Sequence, residues 1–121
     1  MKYTSLNDLY VAELRDLYSA ENQLLTALPQ LAEAASAPAL VQAFVDHLEK
    51  TRGHVARLDE IFRDLETNPR GRHCKAMEGL VEESREAIDS ADPSPVRDAA
   101  LIVAAQRVEH YEMAGYGCVR T

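Results

Sequence analysis

Apolar residues recur at intervals of three and four along most of the chain, and no stretch alternates apolar and polar positions. The first spacing is typical of amphipathic α-helices, whereas alternation would indicate strands. Clusters of Pro, Gly, Ser or Asn divide the pattern into four blocks. The sequence therefore predicts an all-α fold in a single domain over residues 1–121, with three long helices and a shorter third one.

The predicted helix boundaries follow from residues that start or stop helices. Prolines suit the first helical turn because their φ is fixed, and Ser, Thr and Asn cap helix starts. We expect a first helix from just after Thr4 or Ser5 to near Ala35, a second from Pro38 to about Glu66, a shorter third from about 74 to 88, and a fourth that begins at Ser94 and Pro95.

Glutamates on the apolar stripes of the first and fourth helices are the most informative polar residues. Successive residues advance by about 100° around a helix, which puts Glu21 in the stripe between Leu17 and Leu24. Glu13 and Asp16 point to the side and are predicted to be surface acids.

On the fourth helix, the segment VEHYE places Glu109 and Glu112 about 60° apart on the side that carries Leu101 and Val108. Both carboxylates are predicted to face inward, whereas Arg107 and His110 point away. Burying an unpaired charge costs several kcal/mol, so such acids need a partner.

Two imidazoles lie within the stripe of the second helix. His47 and His54 flank Thr51 at spacings of four and three, while Glu49 and Glu60 point away from the stripe. The ExxH motif of many carboxylate-bridged metal sites is absent in its usual form, because Arg52 follows Glu49 at that spacing.

Composition and charge exclude several classes of protein. Residues are 46% hydrophobic and 27% charged, and the formal net charge of −7 disfavours nucleic acid and anionic membranes as partners. No leader-like or membrane-spanning apolar run occurs, so we expect a cytoplasmic protein. Two cysteines, Cys74 and Cys118, are too few for a disulfide framework and are predicted to be packed thiols.

Inward carboxylates on two helices with imidazoles on a third predict a metal site in the core of the bundle. Oxygen and nitrogen ligands from facing helices neutralise a cation, and this donor set suits iron or manganese. The predicted ligands are Glu21, Glu109, Glu112, His54 and His47. The alternative is that these side chains are core polar groups, with the glutamates paired with Arg, water or tyrosine, and no other catalytic motif competes as a site.

Four segments resemble the YciE/YciF-type ferritin-like proteins: YSAENQLLTALPQLAEAA (18–35), HLEKTRGHVARLDEIF (47–62), CKAMEGLVEE (74–83) and VRDAALIVAAQRVEHYEMAGYG (96–117). The resemblance implies a ferritin-like antiparallel helix bundle whose short third helix is a crossover, with Glu21, Glu109 and Glu112 facing a metal. It also implies the bacterial cytosol, a link to stress responses and a homodimer.

The resemblance also implies one more long helix after the YG of the fourth helix, with further glutamates. We therefore expect the fourth wall of the bundle to come from a second copy or from exchanged helices; the alternative is a shortened product with an impaired site.

The leading functional hypothesis is a di-iron or di-manganese type site that handles O₂ or peroxide, or the metal itself, with an oxidase or peroxidase activity if it is an enzyme. A single ion is a further alternative. The competing hypothesis is a non-enzymatic helical stress or interaction protein with a vestigial or incomplete site.

Overall fold

A computed structural model describes residues 2–121, and these residues form four α-helices. They are α1 (Leu6–Ala34), α2 (Pro38–Asp64), α3 (Lys75–Asp89) and α4 (Pro95–Arg120). The prediction of an all-α helical bundle with three long helices and a shorter third one is confirmed. The boundaries agree with the predicted ones to within about two residues, which is the usual uncertainty of a helix end.

Three of the helix starts are capped by their own local sequence. The hydroxyl of Ser5 accepts a hydrogen bond from the Asp8 amide at α1, and Ser94 does the same for Arg97 at α4. At α3 the cap is a thiol, because Cys74 Sγ accepts the Met77 amide. These contacts satisfy amide groups that the first turn of a helix leaves without partners.

The start of α2 is capped from another helix. Ala37 has no side chain that can cap, and instead the carboxylate of Asp98 on α4 accepts the amides of Ser36 and Ala37, each at 2.9 Å. The neighbouring Arg97 donates to the carbonyl oxygen of Ala34 at the end of α1. Asp98 and Arg97 therefore fasten the α1–α2 turn to the start of α4.

We expect Asp98→Ala to lower the melting temperature of the protein, because two amides at the start of α2 lose their acceptor. Hydrogen bonds from the Ser36 and Ala37 amides hold the pKa of Asp98 below 3.8. A lowered folded pKa gives stabilisation that is fully present above the unfolded pKa and is lost as pH falls through the folded value. Thermal melts from pH 7 to pH 3 check this. A melting temperature that falls equally with pH in wild type and Asp98→Ala would contradict it.

Helix α1 is the central helix of the bundle. Its C-terminal half packs against α2, α3 and α4 through a core that includes Leu24, Leu28, Phe44, Met77 and Leu101. Its N-terminal half packs against α2 and α4 through a second cluster. The second cluster contains Leu14, Leu17, Leu58 and Phe62, with Tyr116 and Val119 of α4 packed against it.

Helices α2 and α4 both run antiparallel to α1. The start of α4 meets the end of α1 at Asp98 and Ser36, and its other end meets the first half of α1. Gly115 allows this approach, since a Cβ there would lie 2.6 Å from Cδ2 of Leu17. The two helices thus leave a groove between them above α1.

Two further sequence predictions concern the surface. Within residues 2–121, no helix combines the length and apolar character needed to cross a membrane. Cys74 is buried as predicted, but the prediction that Cys118 is packed is wrong. Cys118 lies in the last turn of α4, where none of the described helices covers it, and it is exposed.

Candidate metal centre

Three helices each contribute one side chain to a cluster at the base of the groove. Glu21 of α1, His54 of α2 and Glu112 of α4 each offer a ligand atom, and these three atoms lie within 4.8 Å of one another. Glu21 is fully buried and Glu112 is nearly so, whereas the His54 side chain is 35% exposed. The cluster therefore opens towards the groove through the imidazole of His54.

Each buried carboxylate has an imidazole partner. His54 Nδ1 lies 3.0 Å from Oε2 of Glu21, and His47 Nε2 lies 3.0 Å from Oε1 of Glu112. The two histidines are seven residues apart on α2, so both face the groove. The two histidines therefore contact different helices, with His54 bound to α1 and His47 bound to α4.

The two carboxylates have opposite pKa shifts. Burial, followed by the nearby Glu112, raises the pKa of Glu21, because a charge at that position would be desolvated and close to a like charge. Burial also tends to raise the pKa of Glu112, but hydrogen bonds from His47 and Glu21 outweigh it and lower the pKa overall. Without a cation, the pair therefore favours one proton shared between two acids.

Two buried polar atoms, one in the cluster and one in its neighbour Tyr116, have no hydrogen-bond partner within residues 2–121. Oε1 of Glu21 and the hydroxyl of Tyr116 are buried and make no hydrogen bond within the described residues. The Tyr116 ring stacks at a tilt on His54, with centroids 5.3 Å apart. A buried carboxylate oxygen with no partner is costly, so a group that accepts its lone pairs would stabilise the cluster.

The donor set suits a cation. Two carboxylates and one imidazole supply the oxygen and nitrogen ligands that iron, manganese and zinc accept. A divalent ion would engage the free oxygen of Glu21 and relieve the repulsion between the two acids. Three protein ligands leave positions open for water or substrate.

The groove above the cluster has a volume of about 910 Å³ and is open to solvent. Its α4 wall carries Glu109, Glu112 and Met113. Its α2 wall carries Lys50 and Arg57 on either side of His54. Burial lowers the pKa of His54. Attraction from Glu112 opposes this shift and repulsion from Arg57 adds to it, so the pKa stays below its ordinary value. A low pKa favours the neutral imidazole that a metal requires.

The structure brings three of the five predicted ligands together and places the other two beside them. It brings Glu21, Glu112 and His54 together, while His47 lies one step away as the hydrogen-bond partner of Glu112. Glu109 lines the groove, on the side predicted to face inward, but its side chain is 49% exposed at the rim, with Oε1 4.0 Å from Nδ1 of His47. About 60° of helical rotation from Glu112 is enough to carry it out of the core.

Asp16 is not the surface acid that the sequence predicts. Its side chain is only 13% exposed, and it accepts hydrogen bonds from Tyr111 of α4 and from Arg72 in the α2–α3 connection. Burial, followed by the hydrogen bond to Asp16, raises the pKa of Tyr111. The sequence holds only one hint of this contact, which is that both residues lie near predicted ligands. Tyr111 precedes Glu112, and Asp16 lies five residues before Glu21.

Known proteins resemble this chain along its whole length. Residues 5–121 match the family described as a domain of unknown function, DUF892. Protein YciF of Escherichia coli strain K12 is 48% identical over 123 residues, which cover all of this chain and 74% of that protein.

Two solved structures have the same fold. The crystal structure of the E. coli stress protein YciF gives a TM-score of 0.91 at 47% identity, covering 97% of this chain and 74% of that one. YcfI, described as a putative structural protein from Rhodopseudomonas palustris, gives 0.91 at 40% identity, covering 96% and 74%.

Proposed function

This chain belongs to the DUF892 family, and on that premise we propose that it binds iron or manganese at Glu21, His54 and Glu112. We further propose a role in handling O₂, peroxide or the metal itself during stress, in the cytoplasm. The E. coli relative is described as a stress protein, which supports the second part.

The observation that carries the proposal is the buried Oε1 of Glu21, which has no partner although it lies in a cluster of three potential ligands. If this part of the core served only stability, an apolar residue would be expected at position 21, in the apolar stripe of α1. Retaining two acids and an imidazole there is costly unless a cation joins them.

Each residue has a separate part in this site. Glu21 and Glu112 would hold the ion from opposite helices, and His54 would add nitrogen from the groove side. His47 Nε2 donates to Oε1 of Glu112 at 3.0 Å, so it orients that carboxylate. When bound, iron or manganese supplies one-electron and two-electron redox chemistry; a second ion would draw on Glu109 at the rim and on ligands from whatever covers the groove.

A structural protein without metal is the second candidate function. The specific observation in its favour is that each buried glutamate already has an imidazole within 3.0 Å, which removes part of the cost of burying it. The R. palustris neighbour is described as a putative structural protein. In this case the groups would serve as a polar core, and an enzyme activity would be absent.

Metal content distinguishes the two candidates. Protein produced with ample iron and manganese and desalted at neutral pH is expected to retain at least one equivalent of either metal per chain by elemental analysis. The absence of stoichiometric metal, together with melting temperatures unchanged by added Fe²⁺ or Mn²⁺, would support the structural role instead.

We also propose that a second copy of the chain covers the groove as a homodimer. Apolar side chains stand exposed along α4 beside it, with Ile102 46% and Met113 67% exposed. They lie eleven residues apart and so share one face of the helix. Exposed apolar faces next to an open groove are typical of surfaces that associate.

Light scattering after size-exclusion chromatography checks the dimer. We expect a mass of twice 13.4 kDa at micromolar concentration, and we expect Met113→Lys to shift it to the monomer because a charge cannot be buried there unpaired. Arg107→Lys on another face of α4 is the control. A well-folded wild-type monomer would contradict the proposal.

A further inference from the structure

A second polar cluster joins α1, the start of α3 and α4, and two of its residues line a depression separate from the groove. It contains Asp16 of α1, Cys74 at the start of α3 and Tyr111 of α4. Tyr111 is the neighbour of Glu112 on α4, and Asp16 is separated from Glu21 by five residues of α1, about 7.5 Å of helix rise. The same two helices therefore carry both clusters.

The phenol of Tyr111 is the central group of this cluster. The phenol of Tyr111 donates its one hydrogen to Oδ2 of Asp16. Its oxygen is then left to accept, and Cys74 Sγ lies 3.0 Å away. Because burial raises the pKa of the Cys74 thiol, the sulfur keeps its hydrogen and can donate it. The thiol therefore has two acceptors within reach, the phenol oxygen at 3.0 Å and Oδ2 of Asp16 at 3.4 Å, while the phenol hydrogen goes to the carboxylate.

Arg72 holds the acceptor end in place. Its Nε lies 3.4 Å from Oδ1 of Asp16, leaving Oδ2 to the phenol and the thiol. Cys74 is fixed as well, because Sγ accepts the Met77 amide and the Cys74 amide donates to Ser19. The cluster is reached from solvent through a depression of about 550 Å³ lined by Arg72 and Tyr111. Its geometry is therefore set by three helices. Asp16 and Tyr111 line the depression, whereas Cys74 is fully buried behind them.

We infer that Asp16, Tyr111 and Cys74 form a one-electron donor relay for the proposed metal site. This inference rests on the proposed function. The phenol is the group to be oxidised, the carboxylate is its proton acceptor, and the thiol is the hydrogen donor that restores it. The oxidant is a metal centre that hydrogen peroxide has oxidised, and it takes up one electron.

The steps balance in atoms and electrons. Tyr111 gives one electron to the oxidant as its O–H bond breaks, and the proton moves to Oδ2 of Asp16, leaving a neutral phenoxyl radical. The S–H bond of Cys74 then breaks, and the hydrogen atom forms a new O–H bond on Tyr111. The product is a thiyl radical at Cys74. An external thiolate gives it one electron and becomes a thiyl radical itself, and the proton held by Asp16 moves from Oδ2 to Sγ, 3.4 Å away, to restore the S–H bond.

A metal-free experiment tests the relay independently of the metal site. A ruthenium photosensitiser with persulfate oxidises tyrosines by one electron, and transient absorption follows the phenoxyl radical. Cys74→Ser keeps an N-cap at α3 but lacks the S–H bond, so the fold is retained. The phenoxyl lifetime is expected to lengthen about tenfold, as for a barrier raised by about 1.4 kcal/mol.

Mass spectrometry after the same photolysis locates the oxidised residue. We expect oxidation of Cys74 in wild type and in the control Tyr18→Phe, and severalfold less in Tyr111→Phe. An unchanged phenoxyl lifetime in Cys74→Ser, or equal Cys74 oxidation in Tyr111→Phe, would overturn the relay.

Iron-loaded protein mixed with hydrogen peroxide separates failure of the relay from failure of the proposed function. A freeze-quenched tyrosyl signal that Tyr111→Phe removes supports the relay. Bound iron without such a signal overturns the relay and leaves the metal site standing. If iron does not bind, the proposed function fails, and the inference that the cluster serves that site fails with it, whatever photolysis shows.

Discussion

The double substitution Glu21→Gln with Glu112→Gln is expected to abolish metal binding by the protein. The amide keeps the size of each side chain but removes the charge that holds a cation, and two of three ligands are lost at once. In wild type, a roughly hundredfold excess of metal over its Kd is expected to raise the free energy of unfolding by about 2.7 kcal/mol. The double variant is expected to show no rise.

Calorimetry with Fe²⁺ or Mn²⁺ under anaerobic conditions measures this effect. Glu82→Gln with Glu86→Gln is the matched control, since both residues are exposed on α3 and the change in net charge is the same. The control is expected to bind metal as wild type does. Equal metal responses in the control and in the Glu21/Glu112 variant would show that the site lies elsewhere.

Leucine at position 21 is expected to stabilise the metal-free protein. Glu21 is fully buried, one of its oxygens has no partner, and its stripe neighbours Leu17 and Leu24 are apolar. Burial raises the pKa of Glu21, so at neutral pH the folded state carries the cost of this carboxyl group, and leucine is expected to remove a cost on the order of 1 kcal/mol. The partner imidazole of His54 is partly exposed and can turn to water.

Urea unfolding of metal-free protein checks the sign. Glu33→Leu on the exposed face of α1 is the control, and we expect it to change the free energy of unfolding by less than about 0.5 kcal/mol. A large loss of stability in Glu21→Leu would mean that the carboxylate serves the fold itself, which would favour the structural role over the metal site. A gain would show that position 21 is held for function at a cost in stability.

The helices and two of the buried acids could be predicted from the sequence, because they depend on local rules. Helical rotation alone places Glu21 between Leu17 and Leu24, and caps such as Ser94 mark where a helix begins. The same rotation could not place Glu109, because a residue about 60° from the stripe lies inside or outside the core according to how α2 and α4 are spaced.

The pairings between helices could not be predicted, since they depend on axial shifts that tertiary packing sets. Nothing in the sequence tells whether His47 meets Glu112 or Glu21. The cluster of Asp16, Cys74 and Tyr111 joins residues up to 95 positions apart, and it needs the α2–α3 connection to bring Arg72 back to α1. A helical-wheel projection of α1 alone shows Asp16 only as an acid beside the apolar stripe.

Anomalous diffraction at the iron edge from crystals grown with Fe²⁺ tests the central claim most directly. We expect one strong peak within bonding distance of Glu21, His54 and Glu112, with Oε1 of Glu21 among the ligands. A peak at another place, or none at full iron content of the crystal, would contradict the assignment of these three residues as the metal site.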